Sequence, residues 1–591
     1  MPGVRSHRQE RPVSTVVETD VLIVGSGPAG ASAALALSTY GVPNIVVTRY
    51  ASLADTPRAH ITNQRTMEVL RDLGVEQDVI AHATPQHLMG DTTFCTSLAG
   101  EELGRVRSWG NDPLVQAEHE LASPTRMCDM PQHLMEPVLV NAAVARGTRL
   151  RFQTEYLSHT QDADGVTATV RDRLRGDTYE IRARYLIGAD GGRSKVAEDA
   201  GLPMGGQMGV AGSINIVFDA DLSRYTAHRP STLYWVLAPG ATVGGIGAGL
   251  VRCVRPWNEW LIVWGYDVEA GAPDLTAEYA ESIVRKLIGD EEIPVTVRSS
   301  SAWTVNEMYA ETYSTGRVFC AGDAVHRHPP SNGLGSNTSI QDSYNLAWKL
   351  KLVLDGVADP KLLETYSAER APVGRQIVTR ANRSIRETAP IFEALDGLSP
   401  QTPEQLWANI AARKEATDAA ETQRAALREA IAFKVYEFNA HGVDLNQRYV
   451  SGGIVPDGTP DPGFMRDPEL HHHPSSRPGA RLPHAWITSG TRTLSTLDTV
   501  GKGRFTLLTG IGGECWVRAA EAQAIEIATV AVGPGQAYED PYGDWARLRE
   551  VSDAGALLVR PDGFVAFRHA SAAEDAAGLI TDALERILGR A

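Results

Sequence analysis

The feature that most limits what this chain can fold into is Gly25-Ser-Gly27-Pro-Ala-Gly30, which follows the apolar run Asp20-Val-Leu-Ile-Val24. The run reads as a buried parallel strand, and the small-residue stretch ASAALALSTY behind the glycines reads as a helix. Gly25 permits the tight turn, Gly27 lets backbone approach a pyrophosphate, and Gly30 lets helix and strand pack closely. Phosphates would then sit on the helix N-terminus, where Pro28 and Ala29 begin the first turn and free N–H groups favour anions. A turn that serves packing alone is the poorer reading of this order. The acid expected about 20 residues on, to hold a ribose, is missing. IVVTRY puts Thr48 and Arg49 there; the threonine hydroxyl can bond a ribose, or Arg49 can face the phosphates.

A chain of 591 residues exceeds one hydrophobic core, so two to four domains are expected. The net charge of -16 argues against nucleic acid or an acidic membrane surface as main partner. No apolar run approaches the roughly 20 residues that span a bilayer. Residues 1–18 carry arginines without an apolar segment, so they read as a disordered tail and not a signal peptide. Cys95, Cys128, Cys253, Cys320 and Cys515 form no C-x-x-C pair and no metal-ligand spacing. That fits a reducing cytoplasm and no metal. His471-His472-His473 lies in a Pro-rich stretch and reads as solvated, not metal-bound.

The periodicities predict an α/β and α+β multidomain chain. A discontinuous Rossmann-type dinucleotide-binding domain takes 19–80, 126–204 and 304–390. Alternating strands such as INIVFDAD, STLYWVLA and EWLIVWGYD, with a helix near 276–287, place an inserted antiparallel-sheet domain at 81–125 and 205–303. A helical segment over 391–450, a linker over 451–480 and a small α/β domain over 481–591 complete the chain. Trp235, Trp260 and Trp264 fall on the inserted strands, where core packing is the default and a pocket wall the alternative.

Two further motifs follow the glycine turn. One is Ala189-Asp190-Gly191-Gly-Arg193-Ser194, after the strand-like YLIG. The other is Gly322-Asp323-Ala-Val-His326, which runs through Pro330, Gly333, Gly335, Ser336 and Asn337 into a helix. An aspartate at a strand end can accept from ribityl hydroxyls. A glycine-rich turn before a helix can offer N–H groups to the anionic edge of a reduced flavin.

With the three motifs in this order, the chain resembles the class A flavoprotein aromatic monooxygenases, and within them the phenol hydroxylase branch. The closer match is carried by PRAHITNQRTMEVLRDLG (57–74), NGLGSNTSIQDS (332–343) and LETYSAERAPVG (363–374). The resemblance covers roughly 20–570. It implies non-covalent FAD, and NAD(P)H (NADPH favoured) without a Rossmann domain of its own; no second GxGxxG occurs. It also implies dioxygen and a small aromatic substrate, with hydroxylation ortho to a phenolic oxygen through a flavin C4a-hydroperoxide. Arg58 and Gln132 match positions that contact FAD, with a surface or capping role as the alternative for each. The family's arginine after S-x-V is Ala197 here. The C-terminal domain resembles the thioredoxin-like tail of phenol hydroxylases, and Cys515 stands alone where a dithiol would need C-x-x-C. A homo-oligomer using this tail is the family-based expectation.

His60 occupies the position where the phenol hydroxylase branch places a substrate-side acid–base residue. An imidazole of ordinary pKa near 6.5 can take the proton of a phenol of pKa near 10 as reaction proceeds. A packed, structural histidine is the other reading. A disulfide reductase would need C-x4-C near the flavin, and a flavin halogenase W-x-W-x-I-P; neither is present. A tailoring hydroxylase acting on a phenol or hydroxypyridine ring is the alternative enzyme, and an FAD-binding sensor the non-enzyme one.

Overall fold

The computed structural model describes residues 16–237, 248–395 and 402–591. Of the expected tail, residues 1–15 lie outside this range. Val17 and Glu18 do not belong to it: they pair with Ile181 and Arg182 in the strand Val17–Val24, whose parallel ladder starts there. The first sheet carries Val17–Val24 between Thr178–Gly188 and Asn44–Val47, flanked by Val318–Cys320 and Arg149–Arg151, all parallel. Segments distant in sequence therefore build one nucleotide-binding sheet. Its central strands are closed to solvent over residues 21–24, 44–47 and 185–188, which is why these stretches read as apolar runs.

The helix Pro28–Thr39 packs against Gly335–Leu354 and Gln132–Ala145. Alanines and Gly30 on the first helix permit that close approach. Asn63 caps the helix Gln64–Asp72 by accepting from Thr66 N–H. Gly74, at φ 71°, turns the chain away after it.

The second sheet has eight strands. It is antiparallel except where Ser231–Val236 runs alongside Asp91–Cys95. Two of its strands cross the boundaries expected from sequence. Met204–Asp219 begins before 205 and Thr296–Ala310 runs past 303, because each is one continuous strand in a single ladder with the other. The period of two divides this sheet's side chains between two cores. Trp260 and Trp264 pack with Ile214, Phe218 and the helix Ala277–Ile288 on the outer face. Trp235 points the other way, with Leu233, Leu250 and Val263, toward Ile61 and the segment beyond 388.

That segment contributes the helices Ala389–Glu393, Pro403–Ala412 and Asp418–Phe433, and then Val435–Phe438 and His441–Leu445. Ile391, Phe392, Leu427, Ile431 and Phe438 press onto the inner face of the second sheet. The stretch 451–480 has no helix or strand but is tied down along its length. His471 Nδ1 lies 2.9 Å from Glu118 Oε2, and His472 Nδ1 lies 3.1 Å from Asn446 Oδ1. The expectation of a solvated histidine run is therefore corrected: the stretch folds over neighbouring helices and its histidines take protein partners. The last domain is a four-stranded sheet, Ile527–Ala531, Phe505–Thr509, Ala556–Val559 and Val565–His569 in that order, with Glu514–Glu521 and Ala576–Ile587 packed together beside it. Among the described residues no helix is long and apolar enough to cross a membrane.

Candidate active site

The three motifs meet at one place. A Cβ on Gly25, whose φ is +107°, would lie 2.1 Å from the carbonyl oxygen of Ala189, so the glycine turn and the Asp190 motif are in backbone contact. A Cβ on Gly30 would lie 2.0 Å from the Gly25 carbonyl oxygen. A Cβ on Gly322 would come within 3.0 Å of the Ala29 side chain, and Ser343 Oγ donates to the Ala29 carbonyl at 2.7 Å. Gly27 differs: a Cβ there would meet only Glu136 Oε1, at 3.9 Å. Its backbone faces open space, and the first N–H groups of the helix from Pro28 lack intrahelical acceptors. This is a cradle that fits a pyrophosphate.

Around the cradle the expected residues fall as follows. Thr48 is buried just beyond Asn44–Val47 and exchanges backbone hydrogen bonds with Arg151 and Thr154. Arg49 is exposed, its guanidinium 5.1 Å from the Tyr50 ring centre. Arg58 is exposed, and its carbonyl accepts from Gln132 N–H at 2.8 Å, so these two sit side by side. Gln132 Nε2 donates to Glu136 Oε1 at 2.5 Å. Asp190 accepts Ser194 Oγ at 2.5 Å and Lys195 N–H at 2.8 Å, so its carboxylate is spent on the turn that opens the next helix. Asp323 is the exposed aspartate of the pair.

The second nest of N–H groups is at the start of the long helix Gly335–Leu354. Gly335, Ser336 and Asn337 precede its first intrahelical donor, with exposed Pro330 and half-buried Gly333 leading in. Gly333 needs its φ of +65°, and a Cβ there would lie 2.7 Å from Ile61. The Asn337 side chain is already engaged: it accepts from Asn63 N–H at 3.0 Å and donates to the Ile61 carbonyl at 2.8 Å. It fastens the flavin-type loop to the segment carrying His60, and only its backbone N–H is offered outward.

His60 is buried, and Nδ1 lies 3.3 Å from Asp129 Oδ1. Asp129 Oδ2 in turn accepts from Arg252 Nη2 at 2.9 Å. Burial, with the Arg252 charge adding to it, lowers the His60 pKa to about 4. The ring is therefore neutral at pH 7 and less basic than the ordinary value near 6.5 used at the level of sequence. Nε2 is buried and has no protein partner. A cavity is lined by Ile61, the residue after His60, by the loop residues Asn332 and Leu334, and by Phe438 of the helical segment. Leu250 and Arg252 lie two apart on one strand, so they share the face turned toward this region.

Asp129 and Arg252 were not singled out from the sequence. A signal existed for the second, since Arg252 is a charge within the otherwise apolar GLVRCVR. None existed for Asp129, whose partners lie 69 and 123 residues away.

Comparison with known proteins agrees with this geometry. Residues 18–381 match the family model described as FAD binding domain, and residues 475–591 match "Aromatic-ring hydroxylase, C-terminal". The chain is 57% identical to 2,4-dichlorophenol 6-monooxygenase of Delftia acidovorans, covering 97% of this chain and 99% of that protein. It is 51% identical to phenol 2-monooxygenase of Pseudomonas sp. (strain EST1001), over 97% of this chain and 93% of that one. The solved flavin-dependent monooxygenase PieE, in complex with FAD and substrate, superposes with a TM-score of 0.93 at 47% identity, over 97% and 100% of the chains. The chain belongs to the FAD-dependent aromatic-ring monooxygenases, in the phenol hydroxylase branch. FAD is its cofactor, and its catalysis is the hydroxylation of an aromatic ring.

Proposed function

We propose that this enzyme hydroxylates a small phenol ortho to its hydroxyl group, chlorinated phenols included, with His60 taking the phenolic proton. The observation that carries this is the buried, unpartnered His60 Nε2, whose chain neighbour Ile61 lines a cavity together with Asn332 and Leu334 of the flavin-type loop. The names of the two relatives above, which act on a dichlorophenol and on phenol, support the substrate class.

The cradle at Gly25, Gly27, Pro28, Ala29 and Gly30 would hold the pyrophosphate of FAD, with Arg58, Gln132, Thr48 and Arg49 at its edge. Asp190 shapes the adjoining turn, and the exposed Asp323 would accept from ribityl hydroxyls. The N–H groups at Gly335, Ser336 and Asn337 would face the ring system. Bound FAD supplies the redox chemistry, accepting hydride from NAD(P)H and activating dioxygen. Ile61, Leu334 and Phe438 give the cavity apolar walls that would keep water from the reacting ring. His60 accepts the phenolic proton at Nε2 while the ring carbon is attacked. Burial makes His60 too weak a base to ionise bound phenol fully before the ring is attacked. Proton transfer therefore accompanies bond formation, which is general-base catalysis. We further infer that NADPH is the preferred reductant and that the enzyme works as a cytoplasmic homo-oligomer.

The test is a panel of ring-substituted phenols, scored by hydroxylated product at several pH values, with wild type and His60→Phe. The variant should keep FAD and lose roughly 10²–10⁴-fold in hydroxylation, with acidic phenols and high pH losing less. A defect equal for acidic and weakly acidic phenols, unrelieved by pH, makes His60 a packing or positioning residue. Turnover of a hydroxypyridine or polycyclic phenol alone would overturn the substrate class.

A further inference from the structure

We infer that Asp129 is the positioning residue of the His60 imidazole: it holds the proton on Nδ1, leaves Nε2 as the basic nitrogen, and is itself kept ionised by Arg252. The inference rests on the reading of His60 as the base.

Three independent pieces of backbone bring the groups together. His60 precedes the short strand Ile61–Thr62, which pairs antiparallel with Cys128–Asp129, and Ile61 is registered against Asp129. Met130 N–H donates to the His60 carbonyl at 2.7 Å, so the two segments cannot slide. Arg252 arrives from the second sheet. All three side chains are nearly or wholly closed to solvent.

A carboxylate can only accept, so the contact at His60 Nδ1 requires N–H on that nitrogen. A neutral imidazole carries one N–H, and the lone pair is then on Nε2, the atom without a protein partner. Burial by itself would raise the Asp129 carboxyl; Arg252 and His60 outweigh it and hold the group below the usual carboxylate range. The titratable groups near the trio include His133, on the helix after Asp129, Cys128, next to Asp129, and Cys253, next to Arg252. Burial lowers the histidine and raises both thiols, which leaves all three uncharged at neutral pH.

Charge then balances through the step. Before it, Arg252 is positive, Asp129 negative, and His60 and the phenol neutral. As the ring carbon is attacked, the phenolic O–H bond breaks, its electron pair moves toward the ring, and the proton bonds to Nε2. The imidazolium so formed lies beside the Asp129 carboxylate, and the net charge is unchanged.

The experiment uses FAD-loaded enzyme with ¹⁵N-labelled histidine, the His60 signals being those missing from His60→Phe. Expected at pH 7 is a protonated Nδ1 and a bare Nε2; a proton on Nε2 overturns the inference, and this readout requires no variant of Asp129. In turnover, Asp129→Asn should cost roughly 10²–10⁴-fold on weakly acidic phenols and less on acidic ones. FAD affinity should be unchanged, and Asp129→Glu should recover part of the rate. Adding Asp129→Asn to His60→Phe should slow it no further. Equal losses across all phenols, or fully additive losses in the double variant, would make Asp129 a packing residue only. If His60→Phe itself shows a flat defect, the base reading fails, whereas the tautomer measurement still reports on Asp129.

Discussion

Arg560 grips Glu369 with two hydrogen bonds, Nη1 to Oε1 at 2.6 Å and Nη2 to Oε2 at 2.8 Å, and both side chains are sealed from solvent. Arg560 belongs to the C-terminal domain; Glu369 lies on the helix Glu364–Arg386 of the flavin-binding half. Lys349 and Asn345 also donate to Glu369, and Asp562 pairs with Arg560. Arg65, from the helix after His60, donates to the Asp562 carbonyl at 2.7 Å. The tail is thus keyed into the catalytic half by a desolvated ionic cluster and is not hung from a linker.

Removing one member of such a cluster strands a buried charge, which costs more than the cluster contributes. Glu369→Ala should lower stability by about 3–5 kcal/mol. Glu369→Leu combined with Arg560→Met leaves Lys349 and Asp562 to balance each other and should be milder than either single change. Thermal denaturation of the holoenzyme measures both; single changes that cost less than the double would refute the picture. Burial would raise the Glu369 carboxyl, but Arg560 and Lys349 hold it well below the usual range. Its folded pKa lies beneath its unfolded one, so this stabilisation is complete above about pH 5 and is lost as pH falls further.

Acid should also act through histidines. His60 and His119 are buried with pKa values lowered to about 4, chiefly by desolvation. His119 stacks on His441 at 3.8 Å, and neither of its ring nitrogens has a partner. In the unfolded chain both titrate near 6.5, so between the two values the unfolded state binds more protons. Each should cost up to about 2 kcal/mol between pH 7 and pH 5. Melting temperature should already fall across that window, and His119→Phe should flatten the fall. A melting temperature constant from pH 7 to 5 contradicts this.

Gly30→Val should abolish FAD binding or folding, since even a Cβ would sit 2.0 Å from the Gly25 carbonyl oxygen. Flavin fluorescence titration of the apoprotein measures it. Affinity within a factor of a few of wild type would mean that the cradle is not where the dinucleotide sits.

Cys515 is half-buried at the start of the helix Glu514–Glu521 and is a free thiol, as are the other four cysteines. Cys515→Ser should leave turnover and the ratio of product to NAD(P)H unchanged. A large loss with assembly intact would give the tail a chemical role.

Much of this was legible in sequence because it is local. The glycine turn, the Asn63 cap and the Gly74 stop each depend on neighbours within a few residues. What was not legible depends on long-range pairing. Strand ends at 204 and 310 are set by the partner strand, not by composition. The Asp129–Arg252 pair and the Arg560–Glu369 clasp join residues 123 and 191 apart. The lowered basicity of His60 follows from burial, which no single-residue pattern reveals. For Asp190 and Asn337 the sequence could not show that their side chains already serve the protein's own turns.

The most direct measurement of the central claim is turnover of a small phenol by the FAD-loaded enzyme with NAD(P)H under ¹⁸O₂. Expected is an ortho-hydroxylated product carrying one ¹⁸O atom, formed in step with NAD(P)H oxidation and dependent on FAD. An unlabelled product, or NAD(P)H consumption that yields only hydrogen peroxide across a range of phenols, would contradict it.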